Sequence, residues 1–190
     1  MIRAEEHFAL AGHEIVLRCA EEADAGRLID YLKTVTGETP FLLRDPDEVH
    51  ITLEEERGFI RAHNASEDAL LLLAFVDGAF AGNCSFEGLS ASRRVKHRAE
   101  LGIALFQKYT GFGLGRAMLE RLLEAMRERG FRQAELTVTE GNDPACHLYE
   151  RLGFRICGRI PEAYRYGDGS SRDAICMVLP LNVVPRDGSR

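Results

Sequence analysis

Long apolar runs are what this sequence most plainly lacks: none approaches the ~20 residues that a membrane-spanning helix needs, so a soluble chain is predicted. A surplus of positive charge is missing too. The 24 lysines and arginines face 30 aspartates and glutamates, a net charge of −6, which disfavours nucleic acid as the main partner because neutralising phosphates takes a basic surface. The five cysteines (Cys19, Cys84, Cys146, Cys157, Cys176) are odd in number, widely spaced and form no C-x-x-C pair, which argues against a disulfide framework or zinc knuckle. No metal site is expected, and a reducing compartment fits best. The opening MIRAEEHFALAGHEIVL carries early acids and no long apolar core before a small-residue cleavage site. It does not resemble a secretory signal, and a cytoplasmic location is expected. No internal repeat or low-complexity stretch is present.

What is there is 190 residues of ordinary globular composition, 45% hydrophobic and 28% charged, enough for one domain with a real core. Glu14–Ala20 reads as a strand. Asp24–Val35 reads as a helix capped by Asp24, with Leu28, Ile29, Leu32 and Val35 at helical spacing. After a connection containing glycine and proline, Thr52 and Glu55 stand in a capping-box relation at the head of a helix reaching Ala65. The triplet Glu54, Glu55, Glu56 is expected to be its solvated first turn. Asp77-Gly78 between two apolar runs predicts a hairpin with strands at about 69–76 and 79–89. The basic run SRRVKHR (Ser92–Arg98) is read as a solvated hairpin loop leading into a further strand, Ala99–Phe106.

A helix from about Gly113 to Arg129 carries its apolar stripe at Met118, Leu119, Leu122, Leu123 and Met126, and Gln133–Val138 follows as a strand. Strand, helix and strand then form a right-handed crossover with the two strands parallel. Asp143 is expected to cap a short helix ending at Gly153, and FRICGRI and DAICMVL supply two last strands around an excursion, PEAYRYGDGSSR. The fold class predicted is α/β of the α+β type, a mixed, mostly antiparallel central sheet flanked by helices. A single domain is assigned to residues 14–180, with an N-terminal extension (1–13) and a C-terminal tail (181–190).

Gly111, Gly113 and Gly115 fall two residues apart just before a helix, each carrying an entropic cost that needs a reason. A dinucleotide fingerprint would need G-x-G-x-x-G close after the first strand of a mostly parallel unit; here the spacing is G-x-G-x-G and about four strands precede it. The pyrophosphate cradle is the better reading. Glycines leave main-chain N–H groups open to a ligand, and the helix N-terminus adds its positive end. Arg116 would add a cation, or would serve as the i,i+4 partner of Glu120.

The order and spacing of AELGIALF, TGFGLGRAMLERLLEAM and EGNDPACHLYERLGF, from Ala99 to Phe154, resemble the GNAT N-acetyltransferase superfamily, and the element order fits from about Glu14 to Leu179. Thr110 departs from the pattern, which has Gln or Arg there. The resemblance implies acetyl-CoA as co-substrate: backbone at Ile103, Ala104 and Leu105 pairing with pantetheine, and Gly111, Phe112, Gly113, Leu114, Gly115 and Arg116 holding the pyrophosphate. It also implies a cofactor contact from Asn142, which read from its neighbours alone is equally a turn residue. A small-molecule amine or protein N-terminus is the implied acceptor, and dimers are common in the family.

Alternation along the strand puts Glu100, Gly102 and Ala104 on one face, a carboxylate beside two minimal side chains with room for something bulky. Chemically, an amine of pKa ≈ 10.4 is nucleophilic in about one molecule in 10³ near neutrality, so removing its proton is the larger task, roughly 4–5 kcal/mol. Glu100 matches the family's base and Tyr149 its proton donor to the leaving sulfur. Their plainer alternatives are a surface glutamate paired with Arg98 and a core aromatic beside Leu148 and Leu152. Cys146 raises a covalent relay, disfavoured because His147 projects about 100° away on the helix. Direct transfer in a ternary complex is expected, against the alternative of a non-catalytic acyl-CoA sensor.

Overall fold

A computed structural model describes residues 5–181. In chain order the elements are β1 (Glu6–Leu10), β2 (His13–Cys19), α1 (Ala25–Glu38), α2 (Leu53–Ala65), β3 (Ala69–Val76), β4 (Ala79–Gly88) and β5 (Arg98–Leu105). They continue with α3 (Leu114–Glu128), β6 (Gln133–Thr139), α4 (Asp143–Arg151), β7 (Arg155–Arg165) and β8 (Ser171–Pro180). One sheet runs β1-β2-β3-β4-β5-β6-β8-β7, antiparallel everywhere except at β5–β6. This is the mixed, mostly antiparallel sheet with flanking helices that the pattern predicted.

β3 explains why the sheet needs a helix layer on each face. Its residues ALLLLAFV are buried without exception: Leu70, Leu72, Ala74 and Val76 join the core under α3, while Leu71, Leu73 and Phe75 join the core under α1 and α2. A strand covered on both sides reads as a continuous apolar run because neither face meets water. The stripe expected on α3 is the one that packs, with Met118, Leu119, Leu122, Leu123 and Met126 all buried. The capping box of α2 is present, Thr52 accepting from the Glu55 N–H while Glu55 accepts from that of Thr52.

Several expectations need correction. β1 lies ahead of the first strand expected and pairs with β2 through a tight turn in which Ala11 (φ 50°) and Gly12 (φ 87°) both have positive φ. Alanine rarely adopts that conformation, so the turn carries no usual sequence signal. β7 and β8 run well into the supposed excursion. Pro161 suggests a strand end, yet β7 is an outer strand whose ladder is interrupted between Ile160 and Tyr164, where a missing N–H costs nothing. Glu56, placed in a solvated turn, is buried, and burial raises its carboxyl pKa. Asp24 makes no cap bond to α1; its carboxylate takes Arg18, Arg27 and the Glu21 N–H instead.

Candidate active site

The glycine segment becomes the mouth of α3. Gly113 is the residue preceding the helix, left-handed at φ 98°, and no side chain caps the first turn. The N–H groups of Leu114, Gly115 and Arg116 therefore open the helix with no intrahelical acceptor. At Gly111 (φ 89°) and Gly113 an added Cβ would meet nothing within 4 Å. The backbone is bare toward open space, the property an anion cradle needs. Gly115 serves differently. It has helical φ, and a Cβ there would touch Leu148, Leu105 and Ile103 at 3.5–3.7 Å, so this glycine seats α3 against β5 and α4. Thr110 spends its hydroxyl on the Gln107 carbonyl, and Phe112 packs against the core and the His13 ring. Arg116 is bonded to Glu120 at 2.8 Å and more than half exposed. Exposed pairs of this kind contribute only ~0.3–0.5 kcal/mol, so the guanidinium is readily exchanged onto a stronger anion.

Beneath this mouth the sheet splays. β5 and β6 are paired at Arg98–Gln133, Ala99–Ala134 and Glu100–Glu135, after which the pairing stops although both strands continue. β6 stays with β8 as far as Thr139–Ala174, and β5 stays with β4 as far as Leu105–Gly82. The stretch Leu101–Leu105 therefore borders a gap with unshared backbone groups. A crevice beyond the carboxyl ends of parallel strands is the usual ligand site of such sheets. Gly82 accounts for the geometry on the β4 side: a bulge puts Ala81 out of register, and a Cβ at Gly82 would lie 2.4 Å from the Ala104 carbonyl oxygen.

Glu100 stands at the vertex where the strands part, exposed on the face of α1 and α2. The expected alternative partner is absent: Arg98 forms a two-pronged pair with Glu135, and no cation lies within 4 Å of Glu100 among the described residues. Ile103 and Leu105 turn the other way, toward α3, and Ala104 packs beside Phe106.

α4 closes the opposite wall. Asn142, one residue earlier than expected, is its cap: its Oδ1 accepts from the Ala145 N–H at 3.4 Å, leaving both amide hydrogens free to donate. Asp143 and Pro144 are the first helical residues. Tyr149 is 7% exposed, edge-on to Phe154, and burial, with Cys84 and Cys146 nearby, pushes its phenol up to about 12. Its hydroxyl has no hydrogen-bond partner among the described residues, yet is not one of the fully enclosed oxygens. The Cys146 thiol is raised by burial, then by Glu150 and Asp143, which is the wrong direction for a nucleophile.

The face of Glu100 also gathers residues that the sequence reading did not single out. Glu38, at the end of α1, accepts the Gln107 N–H at 2.7 Å and anchors the segment leading to the glycines. Tyr166 donates to the Pro40 carbonyl, Thr139 to that of Phe41, and the Arg172 guanidinium sits over both the Phe41 ring (5.2 Å) and the Tyr166 ring (5.1 Å). Tyr164 is shifted up by burial, against a side-chain contact with Thr139 that lowers it, and lies within electrostatic reach of Glu100. These contacts join segments about 30 to 130 residues apart, so no local pattern announces them.

The fold is a mixed α+β sheet with one parted parallel pair beside an uncapped, glycine-bared helix mouth. The profile of the acetyltransferase (GNAT) family matches residues 29–154. The structure of an acetyltransferase of the GNAT family from Streptococcus pneumoniae superposes with a TM-score of 0.83 at 32% identity, covering 88% of this chain and 99% of that one. The chain belongs to the GNAT acetyltransferase family. Among curated relatives, streptothricin acetyltransferase of Streptomyces lavendulae is 32% identical over 104 residues (55% of this chain, 53% of the relative). The ribosomal protein bS18-alanine N-acetyltransferase of Escherichia coli K12 is 40% identical over 81 residues (43% and 54%). The chain thus spans about half the length of these two relatives.

Proposed function

We propose that this protein transfers an acetyl group from acetyl-CoA to a primary amine by direct attack in a ternary complex. The observation that carries the reading is the conjunction of an uncapped, glycine-bared helix mouth with a sheet that parts at a glutamate. Bound there, acetyl-CoA supplies a thioester-activated acyl group and a thiol leaving group. The N–H groups of Leu114–Arg116 receive its phosphates, the open positions at Gly111 and Gly113 give them room, and the free edge of Ile103–Leu105 receives its amide arm. Asn142 offers its two amide hydrogens at the head of α4.

Glu100 takes a proton from the amine nitrogen, directly or through water, and Tyr149 gives its phenolic proton to the departing sulfur. Burial keeps the Tyr149 phenol protonated near neutrality, so a proton is present to give, from a group made a weaker acid by the same burial. The acceptor is a small-molecule amine or a protein N-terminus; relatives named for streptothricin and for an alanine of ribosomal protein bS18 include both a small molecule and a protein.

Thiol release from acetyl-CoA over an amine panel tests the reading. Turnover is expected with at least one amine, and Glu100→Gln is expected to slow it by roughly 10²-fold near neutrality, recovering as pH approaches the amine's own pKa. Cofactor binding with no thiol released by any amine would leave a sensor rather than an enzyme. A loss equal at all pH values would assign Glu100 to positioning.

A further inference from the structure

The basic run Ser92–Arg98 is left unused by the chemistry above, and the fold gives it a setting of its own. Arg93, Lys96 and His97 form one wall of a cavity of about 820 Å³, and Arg129 and Arg132, from the end of α3 and the approach to β6, form the other. Backbone bonds fix the walls together: the N–H of Arg132 donates to the His97 carbonyl at 2.8 Å, that of Gln133 to the same oxygen at 3.2 Å, and that of Lys96 folds back on Ser92. Arg129 is seated by the carbonyls of Glu67 and Ala69 and lies over the Phe86 ring.

The charge is one-sided. Asp68 is the lone carboxylate of the lining; together with Glu67 and Glu128 outside it, it acts on Arg129. Among the described residues eight other arginines, Arg98 among them, stand in ion pairs, so acids are spent elsewhere in this net-negative protein. The end of α3 explains part of the clustering, since a helix C-terminus attracts cations. Its effective charge is only about half a unit, however, and its last carbonyls already accept from Arg129, Gly130 and Phe131. Besides Arg129, which is bonded to carbonyls, Arg93, Lys96 and Arg132 line the same concavity and exceed that need. Burial lowers the Arg129 pKa, and Cys19, Asp68, Glu128 and Glu67 nearby offset that only in part.

We infer that this cavity is an anion site for a small molecule bearing two or more linked phosphates, of nucleotide size. The volume lies within the ~300–1,000 Å³ typical of small-molecule sites, and the guanidinium groups among the lining residues can each match phosphate oxygens in pairs. An extended polyanion would call for a stripe of cations rather than a cluster around one open concavity. The site is separate from the α3 mouth, because the helix between them is 15 residues, about 22 Å, long. It touches the starts of β5 and β6 and the end of α3, the elements whose other ends form the crevice.

Calorimetric titration with inorganic tripolyphosphate, run with coenzyme A present to occupy the α3 mouth, tests this. One saturable site is expected, weakening with salt and with the shorter phosphates. Arg93→Glu with Lys96→Glu should weaken it by about 10-fold or more. These residues are exposed, so the fold is retained, and neither takes part in the proposed transfer, so basal thiol release should be unchanged. Arg132→Glu gives an independent reading from the opposite wall. Absence of saturable binding, binding unaltered in both variants, or binding abolished by coenzyme A would overturn the inference. So would binding of polyglutamate without tripolyphosphate, which would give the surface to an acidic protein.

Discussion

Tyr149 shows how a residue's environment, rather than its type, sets its chemistry. Its ring fills the apolar stripe of α4, as a packing aromatic would, but its hydroxyl has no hydrogen-bond partner among the described residues and burial pushes the phenol up to about 12. Tyr149→Phe keeps the ring and removes the proton. The expected result is a fall in kcat of about 10²-fold from pH 6 to 10, with the melting temperature and the KM for acetyl-CoA little changed. Unchanged kcat with a lower melting temperature would return the residue to packing alone. Glu100 and Arg98 make the same point: they are two apart on one strand face, yet Arg98 turns to Glu135 across the β5–β6 register, and Glu100 is left facing the crevice.

At the level of elements, the site is the product of one bulge, one splay and one uncapped helix. The bulge matters because the chain at Gly82 passes so close to Ala104 and Leu105 that only hydrogen fits: an alanine Cβ would fall 2.4 Å from a carbonyl oxygen and 2.8 Å from Leu105 Cα. Gly82→Ala is expected to cost about 2–3 kcal/mol in urea unfolding and, by pushing the end of β5 into the crevice, to raise the KM for acetyl-CoA. A neutral outcome in both would mean that β5 is not held by this approach. The helices themselves were legible. The caps of α2 and the stripe of α3 follow from neighbours within one or two turns, and so did the Asp77-Gly78 hairpin, where both residues have positive φ. The Ala11-Gly12 turn, equivalent in shape, was not legible, because alanine does not advertise that conformation.

For the molecule as a whole, a single carboxylate ties the helix layer to the sheet. Asp24, 4% exposed, holds Arg18 of β2 and Arg27 of α1, and both guanidinium groups lie over Phe75 of β3. Burial works against its ionised form, but Arg18 and the Glu21 N–H more than compensate, so its pKa is lowered on folding. A carboxyl with a depressed folded pKa contributes stability above its unfolded value, ~3.9, and loses that contribution as pH falls through the lower folded value. Asp24→Asn should therefore cost about 3 kcal/mol at pH 7 and give a stability curve flatter below about pH 4 than that of the parent. Equal acid sensitivity in both, measured by urea midpoints from pH 2 to 7, would place the acid-labile contact elsewhere. Among the described residues, no helix is long and apolar enough to cross a membrane.

Taken alone, the amino-acid order determined where most helices and strands lie, that β5 and β6 are parallel, and that a bared backbone precedes α3. Those properties depend on side-chain periodicity, capping and φ preference, all set within a few residues. It did not determine that the parallel pair comes apart after Glu100, that Glu56 is buried, that Asn142 rather than Asp143 caps α4, or that the basic run forms a cavity wall with Arg129 and Arg132. Most of these outcomes depend on which distant segments compete for the same hydrogen bonds, charges and volume. The choice of cap at α4 is local, but two adjacent residues can both cap, and only the backbone geometry leaving β6 selected between them.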